Sequence, residues 1–215
     1  MSAFFLRLLF FFSLLPAFLV AEETNRHVAV FNFGMTEGKG SEWRWLEKGL
    51  ADMVTQDLVA ANVSVVAREE MQAVAMRMAW KAHELAPPRE DLGRISRALK
   101  IELLISGTYR VRDGQLAVQV QVVDLETNKP ATIFSFSCPE NEVFDLRRRM
   151  SENLVGFLAE FSGQGDLERA RSFRPIPWSE DVDATRALYE GIHLFDLGMY
   201  PCLLYTSDAA DEVLG

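Results

Sequence analysis

The chain reads as an α/β protein: a mixed sheet (a parallel β-α-β start plus an antiparallel meander) packed with helices, followed by a linker and an α-helical repeat fragment. Three observations predict this. Residues 101–130, IELLISGTYRVRDGQLAVQVQVVDLETNKP, describe a β-hairpin followed by a second turn. An apolar run near the amino terminus, HVAVFNF, is followed by glycines and then by apolar residues recurring every three or four positions, which is a strand leading into a helix. The order of elements, β-α-β-α-α-β-β-β-α, favours parallel neighbours at the start and antiparallel ones later.

Taken in order, His27 to Phe33 is a buried first strand, and Gly34 to Gly40 a glycine-rich loop. Ser41 is placed to cap a helix, along which Trp43, Leu46, Leu50, Val54 and Leu58 form one apolar stripe. Trp45 falls off that stripe and is expected to be an exposed interaction position. Val63 to Ala67 reads as a second short strand. Arg68 to Leu85 follows as a helix with Met71, Val74, Ala75 and Met78 inward, broken by Pro87-Pro88. Leu92, Ile95 and Leu99 mark a third helix.

In the hairpin, Leu103, Ile105, Tyr109 and Val111 alternate with polar residues. Asp113-Gly114 supplies a turn that needs φ > 0 at both positions, and Leu116, Val118, Val120 and Val122 return on the same face. Gly107, inside the strand pattern, marks a bulge or a close approach. Thr127 to Pro130 is a second turn, leading to a strand over Ala131 to Ser137. Pro139 ends the meander. Val143 to Phe161 is a long amphipathic helix with Phe144, Met150, Leu154, Phe157, Leu158 and Phe161 on one stripe.

The ends differ from the middle. Arg7, the apolar run Leu8 to Val20, Ala21 and then Glu22-Glu23 have the layout of a secretory signal peptide over residues 1–21. The run is near the lower limit for spanning a bilayer, so a retained anchor is the alternative. Residues 163–183, with Gly163, Gly165, Pro175 and Pro177, read as a linker, and residues 184–201 as a further helix. Residues 202–215 read as an artefactual tail, because CLLYTSDAADE resembles a translated sequencing adapter.

The net charge of −9 becomes −7 once Arg7 at one end and Asp208, Asp211 and Glu212 at the other are set aside. An acidic domain is a poor nucleic-acid binder, since phosphate contacts need clustered Lys and Arg. Cys138 is then the one cysteine left, so the domain must be held by its core.

No residue set carries chemistry in the sequence. Only three residues separate Gly34 from Gly38, and Gly40 follows Lys39 where a phosphate loop needs Ser or Thr. His27, His83 and His193 lie in different elements and form no metal pair, so neither metal nor cofactor is expected. No G-x-S-x-G elbow occurs. Cys138 is read as a small half-buried residue rather than a nucleophile. Arg147-Arg148-Arg149 fan around a helix and are expected on a solvated face paired with Asp and Glu. Asn62-Val63-Ser64 matches a glycosylation sequon, which matters only in a eukaryotic secretory pathway.

The segments VAVFNF, VVAREE, ISGTYR and VVDLETN, in that order and followed by ENEVFDLRRRMSENLVGFLAEF, resemble the domain shared by CsgG-type curli-assembly proteins and the TolB amino-terminal-like domain, over about residues 27–162. That resemblance implies a non-enzymatic α/β domain of the bacterial envelope, exported to the periplasm or the outer-membrane periphery and working in assembly or binding. Its expected partners are envelope proteins, with homo-oligomerisation and peripheral outer-membrane association as further expectations. A subunit of a curli-like outer-membrane secretion or assembly complex is the alternative, although two features of curli channels are missing: a lipidation cysteine near the cut, and long membrane-forming hairpins. Residues 187–200 resemble the start of a tetratricopeptide repeat, with Gly191, Gly198 and Tyr200 at the spacing of its small and aromatic positions, and these three with Tyr189 are the expected interaction residues.

Overall fold

The structure, a computed structural model, describes residues 27–37, 41–78, 89–162, 172–175 and 181–196. Strand β1 (Val28–Glu37) leads through a 3-10 turn (Ser41–Trp43) into α1 (Trp45–Ala60). Helices α2 (Arg68–Arg77) and α3 (Arg89–Leu99) precede β2 (Leu103–Arg112), β3 (Gln115–Asp124) and β4 (Lys129–Pro139). Helix α4 (Val143–Ser162) and helix α5 (Val182–Asp196) complete the described chain. The strands form one sheet in the order β1-β2-β3-β4. β1 runs parallel to β2, and the other pairs are antiparallel. This is the mixed sheet the sequence predicts.

Alternation along each strand divides the core in two. Val28, Val30, Leu103, Ile105, Val118 and Val120 pack in one cluster with Leu46, Leu50 and Val54 of α1 and Met150 and Leu154 of α4. Their neighbours Ala29, Phe31 and Leu104 point the other way, against Val74 of α2 and Leu92 and Ile95 of α3. Each fully buried Leu, Ile or Val contributes about 1.5–3 kcal/mol, so two such layers hold the domain without a disulfide. Cys138 is a free, buried thiol. It is more deeply enclosed than expected, at 4% exposure, and burial pushes its pKa up to about 11. Its thiolate, the reactive form, is therefore scarce at neutral pH.

The hairpin forms as read. Asp113 and Gly114 both adopt left-handed φ, at 52° and 74°, and Tyr109 pairs with Val118. Gly107 is the close approach. A Cβ there would lie 2.3 Å from the Phe33 ring and 2.6 Å from the Gln119 carbonyl oxygen.

Several expectations are corrected. The first strand runs on through Gly34 to Glu37, because Gly34, Met35 and Glu37 pair with Thr108, Tyr109 and Arg110, and the Thr36 hydroxyl donates to the Tyr109 carbonyl. Those residues are therefore not part of a loop. Ser41 opens a 3-10 turn and does not cap α1, whose N-cap is Arg44 with no side-chain hydrogen bond. Val63 to Ala67 makes only one bridge, Val28 to Val65, held by two backbone hydrogen bonds. The parallel partner of β1 is β2 instead. The second turn covers Leu125 to Asn128, so Lys129 and Pro130 already belong to β4. The expected helix over Arg68 to Leu85 is described as far as Arg77, and its remainder from 79 lies outside the described residues.

Candidate interaction site at the helix seam

Helices α1, α4 and α5 meet on the outer side of the larger core cluster, and the most constrained polar groups lie there. Asp57 occupies the buried stripe of α1, and Arg147 and Ser151 occupy that of α4. Arg147 donates to both carboxylate oxygens of Asp57, from Nε at 3.0 Å and from Nη2 at 2.6 Å. The Ser151 hydroxyl donates to the same carboxylate at 2.6 Å. The Arg147 and Asp57 side chains are 5% and 3% exposed. A carboxylate buried this far requires such donors, since leaving it unpaired costs several kcal/mol. Arg147 is thus not on the expected solvated face. Arg148 and Arg149 are, paired with Asp145 and Glu152. The Arg148 guanidinium beside Asp145 holds that carboxyl below its usual range.

A second charged cluster ties α1 to the start of α2. Arg68 donates to Asn32 at 2.8 Å and to Asp52. Tyr109, buried on β2, donates its hydroxyl to the Trp43 carbonyl at 2.8 Å and so anchors the turn before α1. Burial raises the Tyr109 phenol well above its ordinary value.

Helix α5 docks on α1 through aromatic rings. Tyr189 stacks on Trp45 with ring centroids 6.1 Å apart and planes at 18°. Gly49 makes this contact possible, since a Cβ there would come within 3.0 Å of Trp45 and 3.3 Å of Tyr189. The Arg186 guanidinium lies 5.4 Å from the Trp43 ring centroid, an attractive cation–π geometry. Burial, then the charge of Asp52, pushes the Tyr189 phenol up to about 12. Trp45 is therefore buried, at 4% exposure, and not the exposed position expected from its place off the stripe. The reason is α5, which covers that side of α1. Beside the stack, a cavity of about 240 Å³ opens between Met53 and Gln56 of α1, Phe144 and Arg147 of α4, and Thr185 and Leu188 of α5. Its wall is mostly aliphatic and aromatic, which suits an apolar side chain.

Of the four expected interaction residues, Tyr189 faces inward and Gly191 is half-buried on α5. Gly198 and Tyr200 lie outside the described residues, as do His83 and the side chain of His193. The structure instead brings together Asp57, Arg147 and Ser151, which were not foreseen. The signal was available: each is a polar residue at helical spacing within an apolar stripe. Among the described residues, no group of three His, Cys, Asp or Glu is placed to hold a metal ion, and no helix is long and apolar enough to cross a membrane.

Comparison with known proteins places the chain. No curated protein sequence matches it. The LpoB C-terminal domain from Salmonella enterica superposes with a TM-score of 0.45 at 13% identity, over 54% of this chain and 84% of that one. Lipoprotein GNA1162 from Neisseria meningitidis gives 0.46 at 11%, over 62% and 96%. TolB from Acinetobacter baumannii gives 0.43 at 12%, over 63% and 28%. Likeness at this level assigns no function. The expected CsgG and tetratricopeptide resemblances gain no support from these matches. A family model described as FlgO protein matches residues 14–143, from within the apolar amino-terminal run to the first residue of α4. That span exceeds half of the chain, and the chain belongs to the FlgO protein family.

Proposed function

We propose that this FlgO-family chain is an exported, non-enzymatic scaffold of the bacterial envelope that works by binding other envelope proteins in the periplasm. The observation that carries the reading is where the polar chemistry goes. Asp57, Arg147 and Ser151 bind one another across α1 and α4, and Arg68 bridges Asp52 and Asn32. These charges hold helices in place. Arg7, the apolar run to Val20 and Ala21 support export. The acidic balance argues against nucleic acid as a partner. In this reading residues 1–21 are a signal peptide, 22–162 the α/β domain, 163–183 a linker and 184–201 the start of a repeat. The tail 202–215 is artefactual. The partner surface is the outer side of α5, where Leu188 is 45% exposed beside the cavity.

A photo-crosslinking amino acid at Leu188, introduced in the native host, tests this. The expected result is a defined adduct with another envelope protein in the periplasmic fraction. A chain found in the cytoplasm with its leader intact, or one that gives no adduct at Leu188, refutes the proposal.

A further inference from the structure

β4 is the terminal strand of the sheet, with β3 on one side and no paired strand on the other among the described residues. A free edge is a template for another strand, and proteins usually guard it with charge, proline or a bulge. In β4 such guards lie only at the ends, as Lys129, Pro130 and a bulge at one and Pro139 at the other, and the stretch between, Thr132 to Cys138, carries no charge. The direction of each backbone group follows from the hairpin. Arg112 pairs with Gln115 across a two-residue turn, which makes this a hydrogen-bonded pair, and the pattern alternates outward from it. Leu116, Val118 and Val120 therefore bond to Cys138, Phe136 and Phe134, their partners in register. Ile133, Ser135 and Ser137 then aim their backbone groups outward. The Arg149 guanidinium reaches the Ser137 carbonyl at 2.8 Å, as an outward oxygen would allow.

We propose that β4 pairs antiparallel with β4 of a second copy, about a two-fold axis through Ser135, joining two four-stranded sheets into one of eight strands. This inference is independent of the envelope reading. Four observations select a second copy as the occupant. About that axis, Ser135 faces Ser135 and Ile133 faces Ser137, so the outward N–H and carbonyl groups of these three residues meet one another. The Ser137 oxygen has a second lone pair and can keep Arg149. On the helix-covered face Phe134 faces Phe136 of the other copy. That extends a row already formed by Phe134, Phe136, Phe157 and Phe161, with centroids 5.4–6.2 Å apart. Charge is complementary as well, because the Lys129 end of each strand lies beside the Glu140–Glu142 end of the other. Ile133, 52% exposed on the opposite face, gains cover from the same pairing.

The test is the mass of the full chain by sedimentation equilibrium, in a mild non-ionic detergent that keeps its apolar leader dissolved. The wild type is expected at twice the 24.3 kDa of one chain, after correction for detergent. Ser135→Lys places two like charges at the axis and is expected to halve that mass with the circular dichroism unchanged. Gln119→Lys, on the same face but on the interior strand β3, is expected to leave it. Ser135→Cys, in a Cys202→Ser background, is expected to form a disulfide between copies under mild oxidation, because directly opposed strand residues lie within disulfide reach. A wild-type chain that stays monomeric overturns the proposal. A dimer that survives Ser135→Lys, or a Ser135→Cys chain that does not crosslink, overturns it equally.

Discussion

Replacing Arg147 by Met tests whether the buried charge network is the main constraint on the α1–α4 contact. The substitution keeps most of the side-chain volume and removes two hydrogen bonds, of 2.6 and 3.0 Å, to a carboxylate that is 3% exposed. Of these three donors only the Ser151 hydroxyl then remains. Breaking one side of a buried pair costs about 3–5 kcal/mol, because the surviving charge stays out of water. A domain of this size has about 5–15 kcal/mol to lose. In urea the unfolding midpoint of Arg147→Met is expected to fall by about 2 M at an unchanged slope. The pair Asp57→Leu with Arg147→Met removes both charges together. It is expected to recover most of the loss, giving a coupling free energy of several kcal/mol in a double-mutant cycle. If Arg147→Met costs under about 1 kcal/mol, the pair behaves as an exposed one and the reasoning fails. If the double variant is as unstable as the sum of the single ones, the carboxylate was not the source of the cost.

Two further outcomes follow from packing and burial. Gly107→Ala drives a methyl into the Phe33 ring and the Gln119 carbonyl, and should cost about 3 kcal/mol, at the upper end for overpacking. Adding Phe33→Leu should recover only part of this in thermal melts, because the backbone carbonyl cannot retreat, and full recovery would contradict the geometry. Tyr189 has its pKa raised from 10.0 to about 12, so the contribution of its neutral form is complete below pH 10 and is lost as pH rises toward 12. That loss reaches about 2–3 kcal/mol. Tyrosinate absorbance should show a group titrating near pH 12, together with loss of the Trp45 stack. Tyr189→Phe should abolish that step, and its persistence would place the titration elsewhere.

The sequence by itself determined most of the sheet. Period-two alternation from Leu103 to Val122 and the Asp113-Gly114 turn each have a single low-energy solution, because shifting the register by one residue would expose every core side chain. Local signals also located Gly107 as a tight position and α3 and α4 as amphipathic helices. Tertiary structure decided the rest. Whether β1 pairs with Val65 or with β2 depends on a contact across roughly seventy residues of chain, which no local pattern encodes. Trp45 lies off the α1 stripe and is still buried, because α5, far away in sequence, supplies the other side of the contact. Arg147 reads as one of three solvated arginines until α4 turns it toward Asp57, ninety positions away. Alternation and turn chemistry are settled between near neighbours. Partner choice for a buried charge or an aromatic ring is settled only when distant segments exclude water together.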